Sequence, residues 1–361
     1  MARYKLEDIF DLQMGKTPSR NNSEYWNTCD NKWISIGDLT QAGKYITDTK
    51  EYLSDVAVEE SGIKIIPANT VVMSFKLSIG KTAITSEDMY SNEAIMAFHD
   101  KHVVDLIPEY IYYMFKYKDW DEGTNKAVMG KTLNKATLSK VEIEVCPLEK
   151  QKEIVELLDK VSTVLDGRNE ELKKLDELIK ARFVEMFVCK NYPREELDAL
   201  SHGKGEYGAQ SASIEYDPSR PRYIRITDIN DDGSLNDDVV CSANIKDDED
   251  YKLSYGDFCF ARMGATVGKT YAYKNGNQIF AGYLIRYKLN LGKIIPEYLY
   301  EFTRLNEYWN WVRLNQSGAA QPGINAKKYG SLMIPVAPLE EQRLFAEFVK
   351  QVDKSKFSFL F

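Results

Sequence analysis

Two stretches of the sequence, VMSFKLSIGKT at 72–82 and FARMGATVGKT at 260–270, share the same ending and lie 188 residues apart. Both surround a Gly-Lys-Thr triplet with β-prone apolar residues, a pattern typical of a strand, a tight turn and a second strand. A period of this length is too long for a solenoid repeat. The pair therefore predicts two copies of one globular domain in this chain of 361 residues.

Four further pairs of blocks occur in the same order in both halves. They are WISIGDL at 33–39 with YIRITDI at 223–229, IPEYI at 107–111 with IPEYL at 295–299, LN at 133–134 with IN at 324–325, and PLEKQ at 147–151 with PLEEQ at 338–342. Because five blocks keep their order with spacings of 188 to 191 residues, internal duplication explains them better than chance does. We expect a first domain at 1–147, a long helix at 148–187, a second domain at 188–337 and a second, shortened helix at 338–361.

Each copy mixes strands with helices, so we predict an α/β (α+β) fold. Alternating apolar and polar residues predict short strands at 33–36 and 223–226, and again at 141–145 and 332–336. Proline in the first turn predicts helices that begin in the Pro-Glu-Tyr blocks and cover 108–120 and 296–311. Aromatic residues at helical spacing within both helices indicate core positions.

A heptad pattern over 148–187 predicts one long helix. Eight of ten positions spaced alternately by four and three residues are apolar, and mostly charged residues surround them. This apolar seam consists of Ile154, Leu158, Val161, Leu165, Leu172, Leu175, Ile179 and Met186. A helix of this length would form a rod of roughly 60 Å.

Such a rod needs a partner helix to cover its seam, and the obvious partner is the helix of the second copy. That helix would contribute Phe345, Val349 and Val352 to the shared seam. Counted by the repeat spacing, it lacks about seventeen residues of its counterpart. We therefore expect either an asymmetric coiled coil or a truncated variant of the chain.

The bulk composition is that of a globular protein. Apolar residues make up 43% of the sequence, and no apolar run approaches the length of a membrane span. Five scattered cysteines form no Cys-x-x-Cys pair, which argues against a disulfide framework and a zinc site. No basic and apolar leader opens the chain. We expect a cytoplasmic protein without a metal of its own.

The net charge of −8 argues mildly against a nucleic-acid partner, but the charge is unevenly distributed. Residues 231–250 contain eight acids and one base, whereas residues 251–337 contain eleven bases and four acids. The second copy can therefore carry a basic face. The equivalent stretch of the first copy, 64–146, has ten bases and eleven acids and gives no such indication.

No motif for catalysis or nucleotide binding is complete. The Gly-Lys-Thr triplets lack the earlier glycine of a phosphate-binding loop, because Phe75 and Met263 occupy its position. The three histidines belong to no metal-ligand pattern, and neither a Gly-x-Ser-x-Gly elbow nor an Asn-Pro-Pro-Tyr tetrapeptide occurs. We expect no catalytic residue and no cofactor in this chain. The triplet lysines are either solvated turn residues or phosphate contacts.

Polar loops before the last strand of each copy are the best candidates for DNA contacts. Arg, Lys, Asn, Gln, Ser and Thr donate to phosphates and base edges, and glycines permit close approach. Both copies place such a loop at the same point, which favours binding over ordinary turn chemistry. The loop candidates are Lys126, Lys131, Thr132, Asn134 and Lys135 in the first copy, and Arg313, Gln316, Ser317, Gln321, Asn325 and Lys327 in the second. Further candidates on the predicted strands and turns are Lys76, Lys81, Arg225, Thr227, Arg262, Thr266 and Lys269.

The order of these blocks resembles the specificity subunit of type I restriction-modification systems. The resemblance rests on the aromatic-Ile-x-Ile-x-Asp, Gly-Lys-Thr, Pro-Glu-Tyr and Pro-Leu-Glu-x-Gln blocks, the last followed by a long helix, and it covers essentially the whole chain. It implies two tandem target-recognition domains, each an α/β domain that binds one half of a split double-stranded DNA site. It also implies that the two long helices pair as an antiparallel coiled coil.

The resemblance further implies partners for a chain that is not itself catalytic. Such subunits bind modification (methyltransferase) subunits, which hold S-adenosylmethionine and methylate adenine, and through them the motor-nuclease restriction subunits. Docking to the modification subunits would use Pro147, Leu148, Gln151, Pro338, Leu339 and Gln342. Because the candidate loops differ between the copies, we expect a bipartite, non-palindromic site. A protein-interaction scaffold without DNA recognition and an enzyme with an unrecognised site are the alternatives.

Overall fold

A computed structural model of the chain describes residues 2–26, 28–76, 78–120, 134–245, 248–318 and 322–358. The chain divides into two compact units, Met1–Asp166 (unit 1) and Gly167–Phe361 (unit 2). The division falls inside the long helix, whereas the sequence predicts boundaries before and after it. The reason is that the early and late parts of the helix bury their apolar residues in different cores.

Unit 1 contains a five-stranded sheet, a three-stranded sheet and a separate strand pair. Its strands are β1 (Ala2–Lys5), β2 (Phe10–Met14), β3 (Asn31–Ile34), β4 (Tyr45–Ile46), β5 (Glu51–Leu53), β6 (Val71–Ser74), β7 (Thr82–Thr85), β8 (Tyr90–Ser91), β9 (Ile95–Asp100) and β10 (Glu142–Val145). Its helices are α1 (Leu6–Ile9), α2 (Ile36–Gln41), α3 (Asp55–Ser61), α4 (Pro108–Tyr117), α5 (Lys135–Leu138) and the first part of α6 (Leu148–Phe183). The sheets have the orders β2-β9-β6-β7-β4 and β5-β3-β8, and β1 pairs with β10.

The five-stranded sheet of unit 1 separates two apolar layers. Val71 and Met73 of β6 face the layer that contains α4, whereas Val72 faces the opposite layer with Ile34 and Leu39. Successive side chains of a strand point to opposite faces, so a strand buried on both sides is apolar throughout. The central position of β6 in the sheet therefore explains its uninterrupted run of buried residues.

Unit 2 contains a four-stranded sheet and three strand pairs. Its strands are β11 (Arg194–Glu196), β12 (Glu206–Tyr207), β13 (Ser213–Glu215), β14 (Arg222–Ile224), β15 (Cys241–Ala243), β16 (Asp257–Ala261), β17 (Thr270–Ala272), β18 (Gln278–Phe280), β19 (Leu284–Lys288) and β20 (Met333–Pro335). Its helices after α6 are α7 (Pro296–Thr303), α8 (Asn306–Asn315), α9 (Ala326–Gly330) and α10 (Leu339–Ser358). The sheet order is β12-β19-β16-β17, and the pairs are β11-β20, β13-β15 and β14-β18.

The two units repeat the same strand pairings. β1 pairs antiparallel with β10 as β11 does with β20, and the parallel pair β3-β8 corresponds to β14-β18. The hairpin β6-β7, with β9 on the other side of β6, corresponds to β16-β17 with β19. These pairings confirm the prediction of two copies of one mixed helix and sheet domain.

Some predicted elements have different bounds in the structure. The strand expected at 33–36 ends at Ile34, because Ser35 and Asp38 form a capping box that starts α2. A short 3₁₀ helix at Ile226–Asp228 ends the equivalent strand of unit 2 in the same way. The single helix expected at 296–311 is instead two helices, α7 and α8, because the buried Leu305 between them has extended backbone.

The hydrogen-bond register also corrects the alignment of the two hairpins. Met73 faces Thr82 in unit 1, and Phe260 faces Thr270 in unit 2. The spacing is therefore 260 − 73 = 187 residues before the turn and 270 − 82 = 188 after it. The turn of unit 2 is one residue longer than that of unit 1. The spacing of 188 residues between the two copies, which the sequence alignment assumes throughout 72–82, is therefore wrong for the strand before the turn.

In unit 1, the apolar seam of α6 is only partly covered. Ile154 and Leu158 pack against the core that contains α4. Val161 and Leu165, the next two seam residues, are 46% and 55% exposed. Unit 1 by itself therefore covers the beginning of the seam and leaves the following two turns in solvent.

In unit 2, the late part of α6 and the π-helical turn Val184–Val188 that continues it pack antiparallel to α10. Lys356 of α10 contacts Asp176, while Phe345 lies 5.4 Å, between ring centroids, from both Phe183 and Phe187. This arrangement confirms the predicted antiparallel pairing for this part of the chain. The predicted seam residues here are buried or pack against the core, with Leu172 half-buried; they are Leu175, Ile179, Met186, Phe345, Val349 and Val352. Within the described ranges, no helix is both long enough and apolar enough to cross a membrane.

Candidate nucleic-acid interface

The Gly-Lys-Thr triplets lie at hairpin turns, in agreement with the strand, tight turn and strand that the sequence predicts. Gly80 and Gly268 have positive φ angles of 88° and 91°, which favour glycine. A Cβ on Gly80 would lie 2.9 Å from the Trp120 ring, and one on Gly268 would lie 2.9 Å from Val312. A strand follows each turn where a phosphate-binding loop would start a helix. The turns are therefore not nucleotide sites.

The lysines of the two triplets reach equivalent places in their units. Lys81 donates a hydrogen bond to the Thr40 hydroxyl at 2.5 Å, near the end of α2. Lys269 donates to the Ile229 carbonyl at 3.2 Å and pairs with the exposed Asp231 at 2.8 Å, just after the matching 3₁₀ helix. Both ammonium groups are half-buried and have partners within the chain. A phosphate contact by either lysine stays a prediction.

Lys76 lies in the turn of the first hairpin, with its ammonium 5.2 Å from the centre of the Phe75 ring. A hydrogen bond from Thr17 holds the pKa of Glu93 below its ordinary value despite burial, and the charge of Lys76 acts in the same direction. The positive charge of Lys76 is therefore partly offset by Glu93. The surface near this turn in unit 1 is mixed in charge.

Asn134 and Asn325, from the matching Leu-Asn and Ile-Asn blocks, each cap a short helix. The Asn134 side chain accepts a hydrogen bond from the Thr137 amide at 2.8 Å, and the Asn325 side chain accepts one from the Lys328 amide at 2.9 Å. Asparagine is among the preferred N-cap residues. Lys135 and Lys327 follow in the first turns of α5 and α9, and both side chains are exposed. Each cap is thus followed by an exposed lysine next to the predicted loop.

In unit 2, the polar loop is joined to the hairpin turn by backbone hydrogen bonds. Ser317 and Gly323 exchange two such bonds, which close the loop. The Gly264 amide donates to the Pro322 carbonyl and the Ile324 amide to the Arg262 carbonyl, both at 2.9 Å. The structure therefore brings the two predicted segments together, although sixty residues separate them in sequence.

The remaining loop candidates of unit 2 are surface residues. Arg313, at the end of α8, donates to the Asn310 side chain at 2.6 Å and is otherwise exposed. Gln316 and Ser317 are also exposed. Thr266 lies in the hairpin turn and donates to the Met263 carbonyl at 3.3 Å. Four predicted contacts, Lys126, Lys131, Thr132 and Gln321, lie outside the described residues.

Arg225 and Thr227 have structural partners. The Arg225 guanidinium forms an ion pair with the buried Asp228 at 2.7 Å and donates to the Val239 carbonyl at 2.9 Å. Thr227 donates weakly to the same carboxylate at 3.3 Å. These bonds hold the start of the 3₁₀ helix at Ile226–Asp228. DNA contact by Arg225 would require it to give up or share them.

Two exposed tyrosines next to the loop of unit 2 were not anticipated from the sequence. Tyr207 and Tyr283 are 43% and 56% exposed. Tyr207 lies beneath the Arg262 guanidinium, and its hydroxyl accepts a hydrogen bond from the Ala326 amide at 3.2 Å. Exposed aromatic residues beside arginine are frequent in binding surfaces. In the sequence, each of these tyrosines is a single aromatic residue in a short polar segment, and that pattern alone does not indicate a binding surface.

The glycines Gly15 and Gly208 were also missed. A Cβ on Gly15 would lie 2.2 Å from the Asn92 carbonyl oxygen, and one on Gly208 would lie 2.3 Å from the Ala281 carbonyl oxygen. Each glycine lets one strand segment cross closely over another at the same point of the two copies. In unit 2 this crossing positions Tyr207 and the segment that contains Tyr283.

The residues predicted for partner docking divide into two groups. Pro147 and Pro338 are exposed, and Leu148 and Leu339 are half-buried at the starts of α6 and α10. Gln151 and Gln342 are fully buried, and their amide groups bond to the backbone of their own unit. Docking through these two glutamines stays a prediction; in the observed conformation no surface of either side chain is accessible.

A family model described as the type I restriction modification DNA specificity domain matches residues 1–176 and 204–359. The chain belongs to this family. The two matched segments correspond to the two copies seen in the sequence and in the strand pairings. Membership in the specificity-domain family confirms the resemblance drawn from the sequence blocks.

Relatives within the specificity-domain family carry consistent names. The chain is 31% identical over 195 residues to the type I restriction enzyme MjaIX specificity subunit of Methanocaldococcus jannaschii, covering 52% of this chain and 44% of that protein. It is 29% identical over 182 residues to the EcoR124I/EcoR124II specificity subunit of Escherichia coli, covering 48% and 44%. The matches thus span less than half the length of these relatives.

A solved structure shares the fold of this family member over its whole length. The crystal structure of the type I restriction-modification S subunit from M. genitalium has a TM-score of 0.53 and covers 99% of this chain and 90% of that chain. At 12% identity, the likeness concerns the fold alone.

Proposed function

We propose that this chain is the sequence-specificity subunit of a type I restriction-modification complex. It would bind a bipartite, non-palindromic site in double-stranded DNA and direct the modification subunits to it, without catalysing a reaction itself. The observation that carries the proposal is the joined surface of unit 2, where the polar loop and the helices on either side of it present exposed donors, and backbone hydrogen bonds attach the loop to the hairpin turn.

That surface has the residue types that DNA recognition needs. Arg313 and Lys327 are exposed cations suited to phosphates, which supply affinity. Gln316 and Ser317 are exposed amide and hydroxyl donors suited to base edges. Because backbone hydrogen bonds close the loop between Ser317 and Gly323 and attach it to the hairpin, the backbone at Ser317 is held in place before DNA arrives.

The non-palindromic character follows from the differences between the copies. The scaffold is repeated, including the asparagine caps and the hairpin glycines. The residues around it are not: Lys135 follows one cap directly, whereas Ala326 and then Lys327 follow the other. Two surfaces that differ in their donors select different base sequences.

The proposal includes partners outside this chain. Modification subunits would carry S-adenosylmethionine and would dock at the exposed start of each long helix, through Pro147 and Leu148 and through Pro338 and Leu339. Motor-nuclease restriction subunits would join through them, in the cytoplasm. The names of the relatives, all specificity subunits of restriction enzymes, support this assignment.

The test uses the chain assembled with its modification subunits and duplexes that carry the methylated motif of the host DNA. Gel-shift titrations compare the full site with duplexes altered in one half. We expect Gln316→Ala to reduce discrimination in one half-site by about tenfold and to leave the other half unchanged. Gln351→Ala, on the exposed side of α10, is the matched control and should change neither.

Two outcomes would count against the proposal. Absence of sequence-dependent binding by the wild-type complex at moderate salt would favour a protein-interaction scaffold. A methylated motif that is a palindrome would contradict the non-palindromic site.

A further inference from the structure

Arg262 and Phe75 occupy the same position in the two copies. The Arg262 amide donates to the Tyr283 carbonyl, and the Phe75 amide donates to the Ala94 carbonyl, both at 3.0 Å. Phe75 directly follows β6 and Arg262 directly follows β16, the first strands of the two hairpins. Phe75 is buried, with 1% of its surface exposed, whereas Arg262 is half-exposed. The same backbone position thus holds a core residue in unit 1 and a surface cation in unit 2.

Three segments of unit 2 hold Arg262 in place. Its amide is bonded to the segment before β19 and its carbonyl accepts from Ile324 of the polar loop at 2.9 Å. Its guanidinium carbon lies 4.8 Å from the centre of the Tyr207 ring, a cation–π distance. The Tyr207 hydroxyl is fixed in turn by the Ala326 amide at 3.2 Å. Little conformational freedom is left for this side chain to lose on binding.

The guanidinium of Arg262 is nevertheless not used by an ion pair. Arg225 and Arg304 pair with Asp228 and Asp176, and the buried Arg286 pairs with Glu206. Arg262 pairs with no carboxylate among the residues that the structure describes. Among the residues that the structure describes, its side chain makes one hydrogen bond, a long contact of 3.5 Å from Nη1 to the Gly282 carbonyl, and its buried Nε has no partner. The two terminal amino groups of the guanidinium, and not the buried Nε, are therefore the donors that a ligand could use.

We infer that Arg262 recognises a guanine in the half-site bound by unit 2, and that Tyr207 is its positioning residue. An arginine held in one orientation can donate two hydrogen bonds to O6 and N7 of guanine, a pair of acceptors that no other base offers in the major groove. The inference rests on the proposed function. The two units would therefore differ in this contact, because the buried Phe75 of unit 1 cannot bind a guanine as Arg262 would.

The experiment measures binding of the complex with modification subunits to duplexes in which each G·C pair of the site is replaced in turn by A·T. For the wild type we expect that replacing one G·C pair, in one half-site, lowers the affinity about tenfold. Arg262→Ala should bind the original and the replaced duplex equally well. Replacing that guanine by 7-deazaguanine, which lacks N7, should weaken the wild type and not the variant. Arg262→Lys should keep affinity for unrelated DNA but lose this discrimination, because a lysine cannot donate in the same fork.

Discrimination at the other half-site is the internal control for folding and should stay intact in both variants. Tyr207→Leu should lower the discrimination at the same guanine while affinity for unrelated DNA is unchanged. A uniform loss on every duplex with a shallower salt dependence would overturn the inference, since that result identifies a phosphate contact. Unchanged guanine discrimination in Arg262→Ala would overturn it as well. If the wild type prefers no sequence at all, the proposed function fails and the inference with it.

Discussion

Gln151 and Gln342 make the same three hydrogen bonds in the two copies. The Gln151 side chain accepts from the Ile107 amide at 3.0 Å and donates to the Asp105 and Cys146 carbonyls at 2.8 and 2.9 Å. The Gln342 side chain accepts from the Ile295 amide at 3.1 Å and donates to Lys293 and Ala337 at 2.8 and 2.7 Å. Each buried amide therefore ties the start of a long helix to the loop that precedes the Pro-Glu-Tyr helix.

Gln342→Ala should destabilise unit 2 by about 3 kcal/mol, because it removes the partner of two buried backbone groups and one partly buried one, and each buried group costs about 1–3 kcal/mol. The measurement is urea unfolding together with hydrogen exchange of the Ile295 amide, which loses its acceptor. Exchange at Ile295 should accelerate more than exchange in the strands of unit 1.

Gln351→Ala is the matched control for this change, since Gln351 is exposed on the same helix. It should alter stability by no more than about 0.5 kcal/mol. A loss below about 1 kcal/mol in Gln342→Ala would show that the clamp contributes little to the fold.

The two roles of Asn325, capping and DNA contact, can be separated by substitution. Asn325→Ala should cost about 1 kcal/mol of unit 2 stability, because the Lys328 amide loses its acceptor. Asn325→Ser should retain most of that stability, since serine also caps helices. Thermal unfolding of both variants checks the capping role.

The same two variants test contact with DNA. If Asn325 only caps, Asn325→Ser binds the target like the wild type. If its amide also contacts a base, Asn325→Ser keeps the stability but loses discrimination at one position.

The long-helix seam should contribute to stability only where it is covered. Ile179 is fully buried, so Ile179→Ala should cost about 2–4 kcal/mol in urea unfolding of the isolated chain. Leu165 belongs to the same heptad pattern but is 55% exposed, so Leu165→Ala should stay within about 0.5 kcal/mol. Similar losses in both variants would mean that Leu165 is covered in solution.

Asp176 should make the stability of unit 2 depend on pH. Burial acts to raise the pKa of this carboxyl, but hydrogen bonds from Lys356 and Arg304 outweigh it and hold the pKa below its ordinary value. A carboxyl with a lowered pKa in the fold stabilises fully above its unfolded pKa of about 3.9 and loses that contribution as the pH falls through the folded value. Asp176→Asn should therefore destabilise unit 2 at pH 7 and approach the wild type at low pH.

The size of this effect should be only about 0.5–1 kcal/mol, because the Asp176 side chain is 41% exposed and solvent screens its ion pairs. The measurement is the difference in the free energy of unfolding between the wild type and Asp176→Asn from pH 2 to 7. Burial raises the pKa of the neighbouring Glu301 to about 7, which gives pH dependence of the opposite sign in both proteins. Taking the difference between the two proteins removes most of it, because the charge of Asp176 is the smallest of the causes that set the Glu301 pKa. A difference in the free energy of unfolding that grows towards low pH would contradict a stabilising role for the Asp176 carboxylate.

Much of the fold was determined by the sequence because its signals act over short distances. Positive φ at Gly80 and Gly268 requires glycine, proline starts α4 and α7, and the heptad spacing of α6 is visible without its partners. Because the domain is duplicated, the glycine and proline signals occur once in each copy. Family and domain type followed from the order of the blocks, and the family match agrees with that order.

Contacts between distant segments were decided only by the tertiary structure. Gln151 was predicted as a docking residue, and its burial depends on carbonyls as far back as Asp105. Arg262 was one of many candidate cations, and what distinguishes it is Tyr207, fifty-five residues earlier in the chain. A side chain's charge and size are written in the sequence, but its partners are set by which strands pair and where the chain crosses itself. That is why the sequence could propose a set of DNA contacts and only the fold could select one arginine from it.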